Sequence, residues 1–219
     1  MKQKLTKEQM AYRAALEFKD GDFVNLGAGI PTQCARFSFN DKEIMFHSEN
    51  GVANYGELVT LENWEEAKIE FTDAAGTYYL PKPGMVFFDY NTSLDLMRNG
   101  RLDYTCLGAF QVSAGGDLAN WQKPGVKDMG VGGAMDLIFG AKQVIAIMEH
   151  VSTRGDLKIL KECTFPLTGK ACWDLLISDI AVIERTDTGL ILLECAEGWT
   201  PEAVQKLTEP ELIIADDLR

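Results

Sequence analysis

QVIAIM, at residues 143–148, decides how this chain folds. A strand with one face in water alternates apolar and polar residues. A nearly continuous apolar run marks a strand covered on both faces, as in a parallel sheet with helices packed above and below. Outward from this run, further strands are predicted at DFVNL (22–26), EIMF (43–46), KIEF (68–71), MVFFDY (85–90) and YTCLGAFQV (104–112). A last pair, IAVIE (180–184) and LILLECA (190–196), is joined across RTDTG. Helical patterns stand between them. Residues 7–19 place Met10, Ala14, Leu16 and Phe18 at helical spacing, and TSLDLMRNG (92–100) ends at Gly100. TPEAVQKL (200–207) opens with Thr200 as N-cap and Pro201 in the first turn. With no internal repeat, low-complexity tract or long linker, the pattern predicts one α/β domain over residues 1–219. Its core is an open, mostly parallel or mixed sheet with flanking helices.

Ligands of open α/β sheets gather on the loops that follow the carboxyl ends of the strands. Three glycine-rich loops qualify: LGAGIP after DFVN, SENG after EIMF, and GVGGAMDL (130–137) before a helix. GAGIPT has Thr32, and GVGGAM has Met135, where GxGxxG requires its third glycine, and neither continues to GK[ST]. Dinucleotide and P-loop readings therefore find little support. What remains is a set of backbone amides suited to a phosphate, a carboxylate or a developing oxyanion, or simply to tight turns.

A formal net charge of −12 argues against nucleic acid or an anionic membrane as principal partner. No apolar run approaches the ~18 residues of a membrane span, and the amino terminus has the charged, helical pattern of mature structure rather than of a signal peptide. Five widely spaced cysteines without a CxxC pair read as reduced, mostly buried thiols of a cytoplasmic protein. The two histidines, His47 and His150, have no neighbours at ligand spacing, so no metal is expected. Ser48 lacks a GxSxG elbow, and no cysteine stands in a cationic or glycine-rich setting, which leaves hydrolase nucleophiles of either kind without support.

Glu49 is then the residue to explain. It stands at the tip of a predicted buried strand, in HSENG, between Ser48 and Asn50-Gly51. A turn needs only the Asn-Gly. A partly desolvated carboxylate in such a place can act as general base or nucleophile, although many strand-end glutamates are simply solvated turn residues.

Read together, HSENG, VNLGAGIPT upstream and GVGGAMDLIFGAKQV downstream resemble the β subunit of the class I, 3-oxoacid CoA-transferases, of the acetoacetate or 3-oxoadipate type. LGAFQVS, GDLANW and ECTFPLTGKAC extend the likeness from about residue 5 to the final ADDLR. The resemblance implies the CoA-transferase fold and ping-pong transfer through a glutamyl-CoA thioester on Glu49. It also implies roles near coenzyme A or the oxyanion for Asn25, Gly130, Gly132, Gly133 and Ala134, and a separate α subunit as partner. No permanently bound cofactor is implied; the CoA thioester is the substrate. An acyl-CoA hydrolase using the same intermediate, or a non-catalytic α/β module of the same fold, are the alternatives. Two positions depart from the family pattern: Gly76 of DAAG stands where a lysine is common, and Asn54 replaces the first glycine after ENG.

Overall fold

The computed structural model describes residues 2–37, 42–126 and 130–219. In chain order, its strands are β1 (Phe23–Leu26), β2 (Met45–Ser48), β3 (Val52–Ala53), β4 (Val86–Phe87), β5 (Tyr104–Gly108), β6 (Gln111–Ser113) and β7 (Leu118–Ala119). They continue as β8 (Gln143–Ile147), β9 (Ile159–Leu160), β10 (Leu175–Ile177), β11 (Ala181–Thr186), β12 (Gly189–Cys195) and β13 (Leu212–Ile214). The helices are α1 (Lys7–Ala15), α2 (Tyr90–Arg98), α3 (Ala134–Gly140) and α4 (Pro201–Gln205). A ten-stranded sheet runs in the order β13-β12-β11-β10-β8-β5-β1-β2-β3-β4, and β7-β6-β9 form a small second sheet. The middle of the large sheet, from β10 to β2, is parallel throughout. Antiparallel pairs extend it on both sides: β10 with β11 and β11 with β12, and β2 with β3 and β3 with β4. The sheet is therefore mixed with flanking helices.

Burial on both faces of β8 explains the opening run. Ile145 and Ile147 pack into a cluster with Met10, Ala11, Ala14 and Ala15 of α1. Val144, Ala146 and Met148 enter the opposite cluster with Met97 of α2, Leu137 of α3 and Val204 of α4. Each face supplies its own apolar layer, so alternation is lost from the sequence. The helix starts follow local chemistry. The Thr6 hydroxyl and Gln9 close a capping box on α1, Asp89 caps α2 through the Thr92 N–H, and Thr200 with Pro201 opens α4.

Several expectations are corrected. KIEF (68–71) is a turn with Ile69 exposed; only Phe71 packs, stacking on Tyr79 and Phe87. The segment around it is held by single bridges, Leu58 to Tyr79 and Thr72 to Tyr78, rather than by a ladder. The predicted strand at 85–90 shrinks to β4, because Asp89 caps a helix that starts at Tyr90. The run at 104–112 breaks after Gly108, and Gln111 moves to the second sheet. β2 ends two residues later than predicted, so Ser48 lies within the strand and Glu49 is the first residue beyond it. Helix α1 stops at Ala15, short of the pattern over 7–19, and the GAGIPT loop leads into a 3-10 helix, Pro31–Arg36. Of the cysteines, all free, Cys34 and Cys106 are buried and the other three half-buried, fewer buried thiols than expected. No helix among the described residues is long and apolar enough to cross a membrane. At the β4 edge, Val86 and Phe87 are exposed, and Leu61, Trp64 and Ile69 of the preceding segment are exposed as well.

Candidate active site

β1, β2, β5 and β8 are parallel and adjacent, so their carboxyl ends open on one rim of the sheet. A cleft of about 430 Å³ lies there. The loop after β1 contributes Gly27, Ala28 and Ile30, the tip of β2 contributes Glu49, and Val131–Ala134 close the opposite side.

The tip carrying Glu49 is pinned on every side. Ser48 is buried, and its hydroxyl accepts the Ala74 N–H at 2.8 Å. The Asn50 amide donates to the Thr72 carbonyl at 2.8 Å. Gly51 takes φ +106°, and a β-carbon there would stand 2.1 Å from the Phe88 carbonyl oxygen, so only glycine completes this turn. Glu49 itself is half-buried, and its Oε2 accepts the Gly133 N–H at 3.1 Å across 84 residues of sequence. A β-carbon on Gly133 would lie 2.4 Å from that oxygen, so the contact depends on glycine.

Desolvation raises the Glu49 carboxyl above its ordinary value; the Asp136 charge adds to the rise, and the Gly133 hydrogen bond partly opposes it. A carboxylate acting as a nucleophile must be ionised, so any reaction that runs through Glu49 slows as pH drops through this raised value. Asp136→Asn removes the repulsive charge and lowers the Glu49 value. The acid limb of the kcat/KM profile therefore moves to lower pH in this variant, as a titration of rate against pH will show.

Of the residues singled out from sequence, Glu49, Asn25, Gly132, Gly133 and Ala134 line one cleft, whereas Gly130 is exposed and is not part of its wall. The Gly133 amide is engaged with the carboxylate rather than held open. The Asn25 amide is committed within the protein, to His47 and Thr105. Sequence reasoning did not identify Lys158, Lys7, Ala74, Phe110 or Asn120 as wall residues. Lys158 donates to the Glu149 carbonyl at 2.8 Å, and burial pushes its ammonium down to about 8. It sits in GDLKIL, a stretch without a motif, and no local signal distinguishes it from a surface lysine. The segment at 73–76 does adjoin the tip, through Ala74, while Gly76 turns away at φ +77° with open space beside it. Asn54 adopts φ +56°, the left-handed backbone that glycine favours and asparagine tolerates, which keeps the turn after ENG. No cluster of three potential metal ligands occurs among the described residues.

The site is thus an ionisable carboxylate fixed at a parallel strand end and facing a glycine wall. The coenzyme A transferase family model matches residues 7–207, and the chain belongs to that family. It is 44% identical to the probable coenzyme A transferase beta subunit of Bacillus subtilis, over 95% of this chain and 94% of that one. With the B-type subunit of the 3-oxoadipate CoA-transferase of Acinetobacter baylyi it shares 41% identity over 97% of each chain. Among solved structures, the apoenzyme of the acyl-CoA transferase YdiF from Escherichia coli O157:H7 superposes with a TM-score of 0.74 at 19% identity. That match takes in all of this chain and 44% of the longer YdiF chain.

Proposed function

We propose that this chain is the nucleophile-bearing β subunit of a 3-oxoacid CoA-transferase and works with a separate α subunit. The observation that carries the reading is the Glu49 carboxylate, half-buried at the cleft wall and held by the Gly133 N–H. The carboxylate attacks the thioester carbonyl of an acyl-CoA; the C–S bond breaks, giving an acyl-glutamyl anhydride and CoA thiolate. The thiolate then attacks the Glu49 carbonyl carbon, and the donor leaves as a free carboxylate while CoA stays on Glu49 as a thioester. An acceptor carboxylate reverses both steps, and the kinetics are ping-pong. No proton or metal is required. The glycine wall supports the reading in two ways: it leaves room for the pantetheine arm, and the Gly133 N–H orients the carboxylate that would attack. Relatives named as B-type subunits support a two-chain enzyme, and 3-oxoadipate in one such name supports a 3-oxoacid as acceptor.

The test is to purify the tagged chain with whatever partner accompanies it and incubate the complex with acetoacetyl-CoA or succinyl-CoA. Peptide mass spectrometry then looks for CoA on Glu49. An adduct discharged by added carboxylic acid supports the transferase. CoA release that ignores added acid points to hydrolysis, and no adduct with either thioester removes Glu49 from the nucleophile's role.

A further inference from the structure

A row of polar side chains lies directly beneath the Glu49 tip, in a layer that is otherwise apolar. Thr105 on β5, Asn25 on β1 and His47 on β2 are register partners across three neighbouring parallel strands. They point to the face covered by α2, where Ser93 meets the end of the row. All four are buried: Asn25 is 1% exposed and the other three 0%. The Thr105 hydroxyl donates to Asn25 Oδ1 at 3.1 Å, Asn25 Nδ2 stands 3.0 Å from His47 Nδ1, and His47 Nε2 stands 3.1 Å from Ser93 Oγ.

The chemistry of the row fixes the protons from Thr105 to the His47 ring. Asn25 Nδ2 also faces the His47 main-chain carbonyl at 3.4 Å, which sets the amide with its nitrogen toward His47. An amide nitrogen only donates, so His47 Nδ1 accepts and carries no proton. The neutral ring then holds its hydrogen on Nε2 and donates it to Ser93. The plane of the imidazole is set as well: Phe88 stacks on it at 6.0 Å and 9°, and Phe23 meets it edge-on at 5.5 Å.

A valine or leucine row would fill this layer without polar desolvation. A satisfied polar row gives what apolar packing lacks, a single register and a single orientation. Sliding β2 by one residue against β1 would leave Asn25, His47 and Ser93 buried without partners, each an expensive state. His47 lies two residues before Glu49 in the chain, so whatever fixes it fixes the root of the nucleophile.

We propose that His47, locked between Asn25 and Ser93, is a positioning residue that holds the end of β2 so that Glu49 meets Gly133 and the bound thioester in reactive alignment. This assigns Asn25 to the support of the tip, with its amide turned inward rather than toward coenzyme A. The proposal rests on the reading of Glu49 as nucleophile. His47 and Ser93 do not themselves form a reacting pair, because neither reaches the cleft wall.

The experiment uses the co-purified complex and follows single-turnover labelling of Glu49 across acyl-CoA concentrations. His47→Leu removes the two hydrogen bonds that His47 makes in the row, to Asn25 and to Ser93, and slows maximal labelling by about ten- to a hundredfold, the scale of a small misplacement of a reacting group. The half-saturating acyl-CoA concentration stays unchanged. His47→Asn keeps an acceptor at the position facing Asn25 and recovers much of the rate. Ser93→Ala deletes one hydroxyl, gives an intermediate loss, and serves if His47→Leu does not fold. A second readout does not depend on activity. With this chain alone labelled with [15N]histidine and its partner unlabelled, the ring shifts of His47 report an unprotonated Nδ1 and a protonated Nε2 at neutral pH. A folded His47→Leu or Ser93→Ala complex labelling within twofold of wild type, a change confined to half-saturation, or the opposite tautomer overturns the proposal. If the wild type forms no adduct, the Glu49 reading has failed and the positioning role fails with it. A labelled wild type with unaffected variants refutes the positioning role alone.

Discussion

Replacing Glu49 with glutamine abolishes CoA transfer, with turnover falling on the order of 10⁴-fold or more, as expected when a covalent nucleophile is removed. The substitution is nearly isosteric. The amide oxygen of the new side chain still accepts the Gly133 N–H that Oε2 accepts now, so the cleft keeps its shape and the complex its partner. It cannot form the anhydride, and no CoA adduct appears at residue 49 by peptide mass spectrometry. Circular dichroism and thermal melting serve as the control and should match wild type closely, since the lost charge was partly desolvated and disfavoured by Asp136. Transfer activity within tenfold of wild type in Glu49→Gln would return this glutamate to the role of a turn residue.

Gly133→Ala gives the second large effect, by a different route. The Gly133 backbone has φ −87° and ψ 5°, outside the left-handed region and open to alanine, so the chief effect of the change is steric. The new methyl would stand 2.4 Å from Glu49 Oε2 and 3.1 Å from its Cδ, and those atoms must move. Because Ser48, Asn50 and Gly51 hold the tip, the backbone cannot follow, and the carboxylate alone is turned away. A displacement of this size costs about a hundredfold in kcat, with the melting temperature almost unchanged. Steady-state kinetics beside a melting curve decide it: equal loss of stability and activity would make Gly133 a packing residue and nothing more.

The central sheet was legible in the sequence because its strands are short apolar runs covered on both faces, and QVIAIM, DFVNL and EIMF needed no distant information to be recognised. Legibility failed where a strand is defined by its partner. β13 has two of its three residues exposed, and β10 hides in CWDLLISD without a flanking turn signal. KIEF failed in the opposite sense: it has strand-like residues but forms no ladder among the described residues, and Ile69 is left in water. The site divides in the same way. Glu49 and the 130–134 loop declare themselves through glycine-rich motifs at predicted strand and helix ends. That Gly133 touches Glu49, that Ala74 braces Ser48, and that Lys158 faces the same cleft are facts of three-dimensional closure between segments dozens of residues apart. No periodicity encodes them. Asn25 illustrates the limit most clearly: its position beside the cleft was foreseen, while the direction of its amide depends on a histidine from the next strand.

The open β4 edge gives the isolated chain a colloidal character of its own. Val86 and Phe87 stand exposed on a terminal strand, and an unsealed apolar edge is a template for pairing with another chain. The formal charge of −12 on each molecule opposes that pairing at a distance. The attraction is short-ranged and indifferent to salt, whereas the repulsion fades beyond about 8 Å at physiological ionic strength and about 3 Å at 1 M. Ionic strength therefore sets whether solitary chains stay dispersed, and it acts in the direction opposite to its effect on an ion-paired complex: dilute buffer keeps them apart, and concentrated salt lets their edges meet.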